Sequence, residues 1–237
     1  PKSVRYMEPA RSMSATVTSL SQARRSQTTL AYEKLEELIV TLQLKPGSSH
    51  SENSLQQLIG IGRTPVRESL QRLSREGLVE ILPRKGIKIT RVDYEGQFLR
   101  VELSRTLLAL MARTGAVRAT SEQKQAFGDI AVAYDKVART PDLDSIMQLD
   151  KTMFNLFCDA CHNEHVCRAT RLLVGENRRL RYIHFQKHAD IPVFARIRAE
   201  LARALHQGDP EAAEAIVHRR MDYIESTLKG RIHTNDQ

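Results

Sequence analysis

The sequence predicts a mainly α-helical fold in two parts, a small N-terminal domain with one β-hairpin and a larger C-terminal domain of antiparallel helices. Apolar residues recur at helical spacing before residue 77 and again after residue 93, whereas strand-like runs lie between them. The 237 residues suffice for two domains with separate cores. The net charge also differs between the two parts. Residues 1–92 hold 15 Lys and Arg against 8 Asp and Glu, while residues 93–237 hold 21 Lys and Arg against 20 Asp and Glu. We therefore place the basic binding surface in the first domain.

The composition excludes several classes of protein. Trp is absent and aromatic residues make up 5% of the chain, which argues against a β-sandwich and against an aromatic-lined carbohydrate site. Three cysteines are too few and too closely spaced for a disulfide framework. There is no secretory signal and no apolar run long enough to span a membrane. We expect a cytoplasmic protein with no membrane partner.

The chain begins with a Ser- and Arg-rich segment, residues 1–27, that shows no sustained periodicity. We expect this segment to be a disordered basic arm that precedes a domain at residues 28–92. A first helix of about three turns follows, ending at Lys-Pro-Gly 45–47, and its apolar stripe is Ala31, Leu35, Leu38, Ile39 and Leu42.

A second short helix is predicted to start at Ser51, which can cap it, with Glu52 in its first turn. Leu55, Leu58 and Ile59 form its apolar side, and Gly-Ile-Gly 60–62 makes a tight turn into the next helix. Two short helices joined by a glycine turn are typical of a helix-turn-helix.

The third helix, in GRTPVRESLQRLSREG at 62–77, is the segment on which the functional argument depends. Pro65 falls in the first turn, where proline is tolerated, and Gly77 ends the helix. One face is apolar, and the other gathers Arg63, Arg67, Gln71 and Ser74. Arginine forks match phosphate oxygens and the major-groove edge of guanine, so this face predicts contact with DNA.

Two β-rich runs at 78–82 and 87–90 flank the turn Pro83-Arg84-Lys85-Gly86. They predict a basic hairpin, and a basic hairpin next to a helix-turn-helix is a wing. The first domain is therefore predicted to be a winged helix-turn-helix.

The second domain, residues 93–237, is predicted to be helical throughout. We expect an antiparallel bundle of six or seven helices at 98–117, 122–137, 143–161, 163–188, 192–207 and 210–229. The segment 163–188 is either one long helix or two helices broken near Gly175.

Three charged residues of the second domain lie on otherwise apolar helix faces, and they are Asp150, Arg198 and Arg220. Buried charges are unfavourable unless they are paired, so three of them suggest a shared polar cavity. The alternatives are a purely structural ion pair, or side chains at the stripe edge that reach water.

Residues 31–91 resemble the winged helix-turn-helix domain of the GntR family of bacterial regulators. The resemblance rests on the KPG turn, on TPVRE followed by regularly spaced leucines and EGLV, and on the RKG hairpin turn. It implies that Arg63, Thr64 and Arg67 contact operator DNA in or beside the major groove, and Gln71 lies on the same face. It also implies that Lys85 with Gly86 places the wing tip in the minor groove. Asn53 departs from the family, where many relatives carry a longer or basic side chain.

Residues 93–237 are similar to the FCD ligand-binding domain of FadR-like GntR regulators, in which one Asp and three His often hold a divalent metal. By this resemblance Asp150 falls on the aspartate position, whereas Phe154, Arg198 and Arg220 stand where the histidines would be. None of these three side chains is an ordinary metal ligand, so we expect no metal cofactor there. Two guanidiniums would instead bind an anion directly, with Phe154 beside its apolar part. The expected effector is a small carboxylate.

Two other patterns are weaker candidates. Cys158, Cys161 and His162 match the CxxCH pattern of haem attachment, which we interpret as coincidence within a helix, with a thiol or zinc site as the alternative. His184 and His188 are one helical turn apart and could share a metal, but the nearby arginines favour a polar face.

These features predict a dimeric, ligand-responsive transcription regulator, a repressor released from a palindromic operator by the effector. The alternatives are a metal-dependent sensor of the same architecture using His184, His188 or Asp150, and a DNA-binding domain fused to a small-molecule enzyme. No nucleophile–base pair or phosphate loop stands out in the sequence, so we expect a protein that is not an enzyme.

Overall fold

The computed structural model describes residues 27–187 and 190–235, and the chain divides into two compact units between Thr90 and Arg91. The predicted boundary fell two residues later. The predicted arm lies outside the described residues except for Gln27, which is helical. The predicted fold class is confirmed, since the described part is mainly helical with one small sheet.

The described residues of the first unit, 27–90, form three helices and a three-stranded sheet. Its elements are α1 (27–40), β1 (Ser49–His50), α2 (Glu52–Ile59), α3 (Arg63–Arg75), β2 (Val79–Leu82) and β3 (Gly86–Ile89). The sheet is antiparallel in the order β1-β3-β2, with Val79 opposite Ile89 and Leu82 opposite Gly86. The apolar faces of the helices and of the hairpin share one core, which includes Leu35, Ile39, Leu55, Leu70, Leu73, Leu78 and Ile89.

The Lys-Pro-Gly segment does not end α1 as predicted. The helix ends at residue 40, and Leu42 already has a positive φ of 62°. The following chain joins the sheet, because Gly47 N donates to Ile89 O at 2.8 Å and Ile89 N donates to Ser48 O at 2.9 Å. The short strand β1 that results was not predicted, since two residues carry no recognisable period.

The caps of α2 and α3 follow the prediction. The Ser51 side chain accepts a hydrogen bond from Ser54 N, and Gly60 ends α2 with a positive φ of 67°. Gly62 caps α3, and Gly77 follows its end with a φ of 77°. These glycines allow the sharp turns that set α3 against α2.

The second unit is a helical bundle formed by α4 (Tyr94–Arg118), α5 (Ser121–Arg139), α6 (Leu143–Cys161), α7 (Glu164–Lys187), α8 (Ile191–Gln207) and α9 (Pro210–Asn235). Helix α5 packs along α8, and α4 packs along α9 and α6. Helix α7 runs through Gly175 without a break. One internal glycine destabilises a helix by only about 1 kcal/mol, which packing can offset, and Gly175 is buried. No helix among the described residues is both long and apolar enough to cross a membrane.

Candidate functional site

The first candidate site is the exposed face of α3. Val66, Leu70 and Leu73 are buried in the core of the first unit, which turns the opposite face of the helix outward. Arg63, Thr64, Arg67 and Gln71 are all exposed on that outward face. The structure therefore brings together four of the six predicted DNA-contacting residues on one helix.

Arg63 is held at its base by a neighbouring helix. Its Nε lies 3.2 Å from Oε1 of Glu52 in the first turn of α2, and its side chain is 74% exposed. Among the described residues, the two terminal nitrogens of the guanidinium have no hydrogen-bond partner. Such a tip can bind a phosphate or the O6 and N7 atoms of guanine.

Arg72 belongs to the core side of the same helix and has a structural role. Its guanidinium lies 3.5 Å from the centre of the Tyr32 ring, and its Nε donates to Glu76 at 2.9 Å. The Tyr32 hydroxyl donates to the other oxygen of Glu76 at 2.7 Å, and burial together with the carboxylates of Glu36 and Glu76 raises the pKa of Tyr32. This network joins α1 to α3.

The hairpin turn lies at 83–85, where Arg84 and Lys85 are exposed. Gly86, predicted with Lys85 at the wing tip, is instead the first residue of β3 and has a φ of 94°. A Cβ at Gly86 would lie 2.5 Å from the carbonyl oxygen of His50. The glycine is thus required by the close approach of β1, which the sequence did not reveal.

The second candidate site is a cavity in the helical unit between α4, α7, α8 and α9. Its volume is about 70 Å³, and since a water molecule needs roughly 10–15 Å³, it holds several waters or one small molecule. The lining is mainly apolar, with polar groups contributed by Gln97, Ser104, Asn177, Arg181, His184, Arg220, Tyr223 and Thr227. Such a composition is typical of small-molecule sites.

Asp150 on α6 is the centre of a buried charge cluster beside this cavity. It is 5% exposed and forms ion pairs with Arg198 of α8, at 2.5 Å, and with Arg181 of α7. Burial alone would raise the pKa of Asp150, but the guanidiniums of Arg181 and Arg198 lower it to about 2. Arg198 also donates from Nε to the Tyr134 hydroxyl at 3.2 Å. Asp150 and Arg198 therefore form an ion pair, and neither residue lines the cavity.

Arg181 was not singled out from the sequence. The run of arginines at 178–181 was interpreted as a polar face, but Arg178 and Arg179 are buried and the Arg181 side chain is 10% exposed. No signal in the sequence singled out Arg181, because its burial depends on the helices that pack against α7. The polar-face interpretation was wrong because α7 packs against α4 and α6 and these arginines are buried.

Arg220 on α9 differs from the other two guanidiniums. It is 6% exposed, lines the cavity, and its buried Nε has no hydrogen-bond partner among the described residues. Burial, together with the positive charges of Arg198 and Arg181, lowers the pKa of Arg220 to about 9, and the charge of Asp150 offsets only part of this effect. Arg220 is thus a desolvated cation that faces an open space.

Phe154 was expected beside the effector, but it does not line the cavity. It lies one helical turn after Asp150, is half-buried, and its ring centre is 5.8 Å from the Arg171 guanidinium. Phe194 of α8 occupies the expected place, 5.0 Å from the guanidinium of Arg181 and 5.9 Å from that of Arg220. Phe194 is the α8 residue that lines the cavity.

Hydrogen bonds link the amides of the cavity to one another, and Asp190 lies beside His184 and Tyr223. Gln97 Nε2 donates to Asn177 Oδ1 at 2.6 Å, and Asn177 Nδ2 donates to Ser104 Oγ at 3.3 Å. His184 Nε2 lies 2.5 Å from the Asp190 carboxylate. Burial, with the nearby Asp190, raises the pKa of Tyr223. These polar groups can orient a bound ligand, in addition to the positive charge that the arginines supply.

The residues present do not fit a metal ion. Of the four positions Asp150, Phe154, Arg198 and Arg220, one alone offers a metal-binding side chain, and both oxygens of Asp150 are ion-paired. Within the described ranges no group of three or more His, Cys, Asp or Glu side chains is placed to hold a metal. His188 lies outside the described residues.

The three cysteines are buried and free. Cys161 Sγ lies 3.3 Å from Cys167 Sγ, and both thiols lie 3.2 Å from the carbonyl oxygen of Cys158. Burial raises the pKa of all three thiols, that of Cys161 to about 11. Raised pKa values suit packed, unreactive thiols.

Comparison with known proteins agrees with this arrangement. Residues 27–89 match the family model described as "Bacterial regulatory proteins, gntR family", and residues 101–223 match the FCD domain. The HTH-type transcriptional repressor RspR of Escherichia coli K12 is 22% identical over 206 residues, which cover 84% of this chain and 87% of that protein.

Two further similarities were found, one in sequence and one in fold. An HTH-type transcriptional regulator in an unstable DNA locus of Streptomyces ambofaciens is 48% identical over 73 residues, 29% of this chain and 31% of that protein. The solved structure of E. coli McbR/YncC has a TM-score of 0.71 at 15% identity and covers 87% of this chain and 98% of that one. At that identity the structure shows a shared fold.

Proposed function

The chain is a transcriptional regulator of the GntR family that carries an FCD domain, and we propose that it is a repressor released from a palindromic operator by a small carboxylate. The regulator would act in the cytoplasm, where bacterial DNA lies. The operator would be bound by the exposed face of α3 and by the hairpin turn. The carboxylate would bind in the cavity of the helical unit.

The buried guanidinium of Arg220 is the observation that carries the proposal for the ligand. Arg181, Arg198 and Arg220 supply three positive charges to the cluster, and Asp150 supplies one negative charge. Asp150 is shared by Arg181 and Arg198, which leaves Arg220 without an ion pair among the described residues. Burial of a charge is unfavourable unless the charge is paired, because the charge loses its hydration. A bound anion would offset this desolvation free energy. A carboxylate fits a guanidinium because it can accept two parallel hydrogen bonds.

The rest of the cavity suggests what the carboxylate is attached to. The apolar lining and the rings of Phe185 and Phe194 favour an apolar or aromatic body. The amides of Gln97 and Asn177 could bind one further polar group. We therefore expect an amphipathic carboxylate rather than a sugar acid.

We also propose that the protein acts as a homodimer formed through α4. Leu99, Leu103, Leu107, Leu110 and Val117 follow helical spacing along one side of this helix. Leu99 is 71% exposed and Val117 is 66% exposed, while Leu107 and Leu110 are half-buried. An apolar stripe of this length suits a second copy of the same helix, and a two-fold dimer would require a palindromic operator.

A ligand screen by thermal unfolding tests the proposal. Benzoate and phenylacetate should raise the Tm, while benzamide, which lacks the charge, and gluconate, which lacks the apolar body, should not. A ligand at 100 times its Kd adds about 2.7 kcal/mol to the apparent free energy of unfolding. The same ligands should release a labelled operator fragment from the protein.

Matched variants locate the site. Arg220→Met should abolish the rise in Tm, whereas Arg196→Met, at an exposed arginine of α8, should leave it unchanged. A full response in Arg220→Met, or a response to benzamide equal to that to benzoate, would contradict a carboxylate at Arg220.

A further inference from the structure

A continuous series of hydrogen bonds runs from a charged side chain to a serine in the wall of the cavity. Arg100 Nε donates to Gln97 Oε1 at 2.9 Å, Gln97 donates to Asn177, and Asn177 donates to Ser104. Gln97, Asn177 and Ser104 all line the cavity, whereas Arg100 does not. Gln97 and Ser104 are each 3% exposed. The series therefore begins outside the cavity and ends at a buried hydroxyl within its lining.

The guanidinium of Arg100 fixes the direction of these hydrogen bonds. A guanidinium can only donate, so the amide oxygen of Gln97 must face Arg100 and its nitrogen must face Asn177. Asn177 accepts from Gln97 through its oxygen, which turns its nitrogen toward Ser104. Ser104 can only accept in this series, and the hydrogen of its own hydroxyl remains for another partner.

The Ser104 hydroxyl hydrogen has no acceptor in the part of the chain that the structure describes. Burial of such a donor is unfavourable, because it loses the hydrogen bond that it makes with water when exposed. The other hydroxyl of the lining on an aliphatic side chain differs, since Thr227 Oγ1 donates to the carbonyl oxygen of Ile224 at 2.7 Å on its own helix. A hydroxyl that already accepts a hydrogen bond is also a stronger donor. Ser104 is thus a buried donor available to a molecule in the cavity.

We propose that Ser104 donates a hydrogen bond to a second polar group of the bound carboxylate, and that this group is an acceptor such as a ketone, ester or ether oxygen. The inference rests on the proposed function in that a carboxylate occupies this cavity. It adds a specificity-determining residue, because the series that begins at Arg100 leaves Ser104 with a hydrogen to donate. The ligand class becomes a carboxylate with an apolar body and a separate acceptor oxygen.

Matched benzoates test the proposal on the full chain. The ketone oxygen of 3-acetylbenzoate or 4-acetylbenzoate can accept from Ser104, whereas 3-isopropenylbenzoate and 4-isopropenylbenzoate have the same shape with a CH₂ group in place of that oxygen. Isothermal titration calorimetry would measure the Kd of each compound. The Kd of an isopropenyl compound divided by that of its acetyl counterpart gives the preference for the acceptor. At one or both ring positions, Ser104→Ala should lower this preference about tenfold, because a buried hydrogen bond is lost.

Two further variants control for other effects of the substitution. Thr227→Val removes a lining hydroxyl that already donates within α9, so it should keep the parent preference at both ring positions. Ser104→Cys keeps a side chain of similar size but carries a weak donor, so it should lower the preference as Ser104→Ala does. It also provides the test if Ser104→Ala does not fold.

The outcomes separate this inference from the proposed function. The parent preference in both Ser104 variants, or an equal fall in Thr227→Val, overturns the inference while the carboxylate site stands. A parent protein that binds benzoate but none of the four substituted compounds also overturns the inference alone. A parent protein that binds no benzoate at all overturns the proposed carboxylate, and with it this inference.

Discussion

Asp150 and Arg220 show how burial acts on single residues of opposite charge. Asp150 has two guanidinium partners, which keep its pKa at about 2 despite burial. Arg220 is also buried and has the same two arginines as neighbours, so burial and their positive charges together lower its pKa to about 9. One residue is stabilised by the cluster and the other is destabilised by it. We interpret Arg220 as a group kept for binding rather than for stability.

This difference predicts opposite effects on the free energy of unfolding without ligand. Asp150→Asn should lower it by about 3–5 kcal/mol, because two buried guanidiniums lose their partner. Arg220→Met should leave it unchanged or raise it, because an unpaired buried charge is replaced by an apolar side chain. Urea unfolding at neutral pH would measure both. A loss of stability in Arg220→Met equal to that in Asp150→Asn would show that Arg220 is a structural ion-pair partner.

The contribution of Asp150 should also depend on pH. Its pKa is about 2 in the folded protein against an ordinary value of 3.8. The stabilisation is therefore complete above about pH 4 and is lost as the pH falls toward 2. The difference in stability between the parent and Asp150→Asn should shrink over that range.

At the scale of elements, the arginines of α3 have two different roles within one helix. On the side of α3 that faces the core, Arg72 stacks on Tyr32 and pairs with Glu76. On the other side, Arg63 and Arg67 face solvent. The apolar stripe of the helix decides which arginine takes which role. The hairpin turn adds Lys85, which offers charge without a rigid fork.

Substitutions in these elements should therefore have different effects on operator affinity, sequence preference and stability. Arg63→Ala and Arg67→Ala should each weaken operator binding by about 1–3 kcal/mol with lost discrimination at one base pair, if they read bases. Lys85→Ala should weaken binding to all sequences alike, and Arg72→Gln should lower stability before it alters sequence preference. Binding to operator variants over a salt series measures these effects. Parent-like operator binding by both Arg63→Ala and Arg67→Ala would show that α3 does not face the DNA.

At the scale of the whole molecule, the two compact units have separate cores and separate candidate sites. A ligand in one unit can change DNA affinity in the other only if it binds two states of the protein differently. Dimerisation through α4 would set the spacing of two copies of α3. Two dimer states with different spacings would then bind an operator differently.

The dimer is tested by charging the apolar stripe of α4. Leu99→Glu with Leu103→Glu should convert the protein to a monomer in sedimentation or light-scattering measurements and should weaken binding to a palindromic operator far more than to one half-site. Val132→Glu, at a 68% exposed apolar position on α5, should keep the dimer. A parent protein that is monomeric at micromolar concentration would contradict the proposal.

The sequence by itself determined the element types, most of the helix boundaries and the outward face of α3, because hydrophobic period and glycine caps are local signals. It also determined that Asp150, Arg198 and Arg220 lie on apolar faces. Tertiary structure alone decided which of these charges pair. Arg181 reaches Asp150 from a helix 31 residues away in the chain, and Phe194 takes the place expected for Phe154. Strand β1 and the requirement for Gly86 likewise depend on His50 approaching β3. Which charged side chains pair across helices depends on which helix faces meet in the folded protein. The hydrophobic periodicity of one helix does not identify the helix that packs against it.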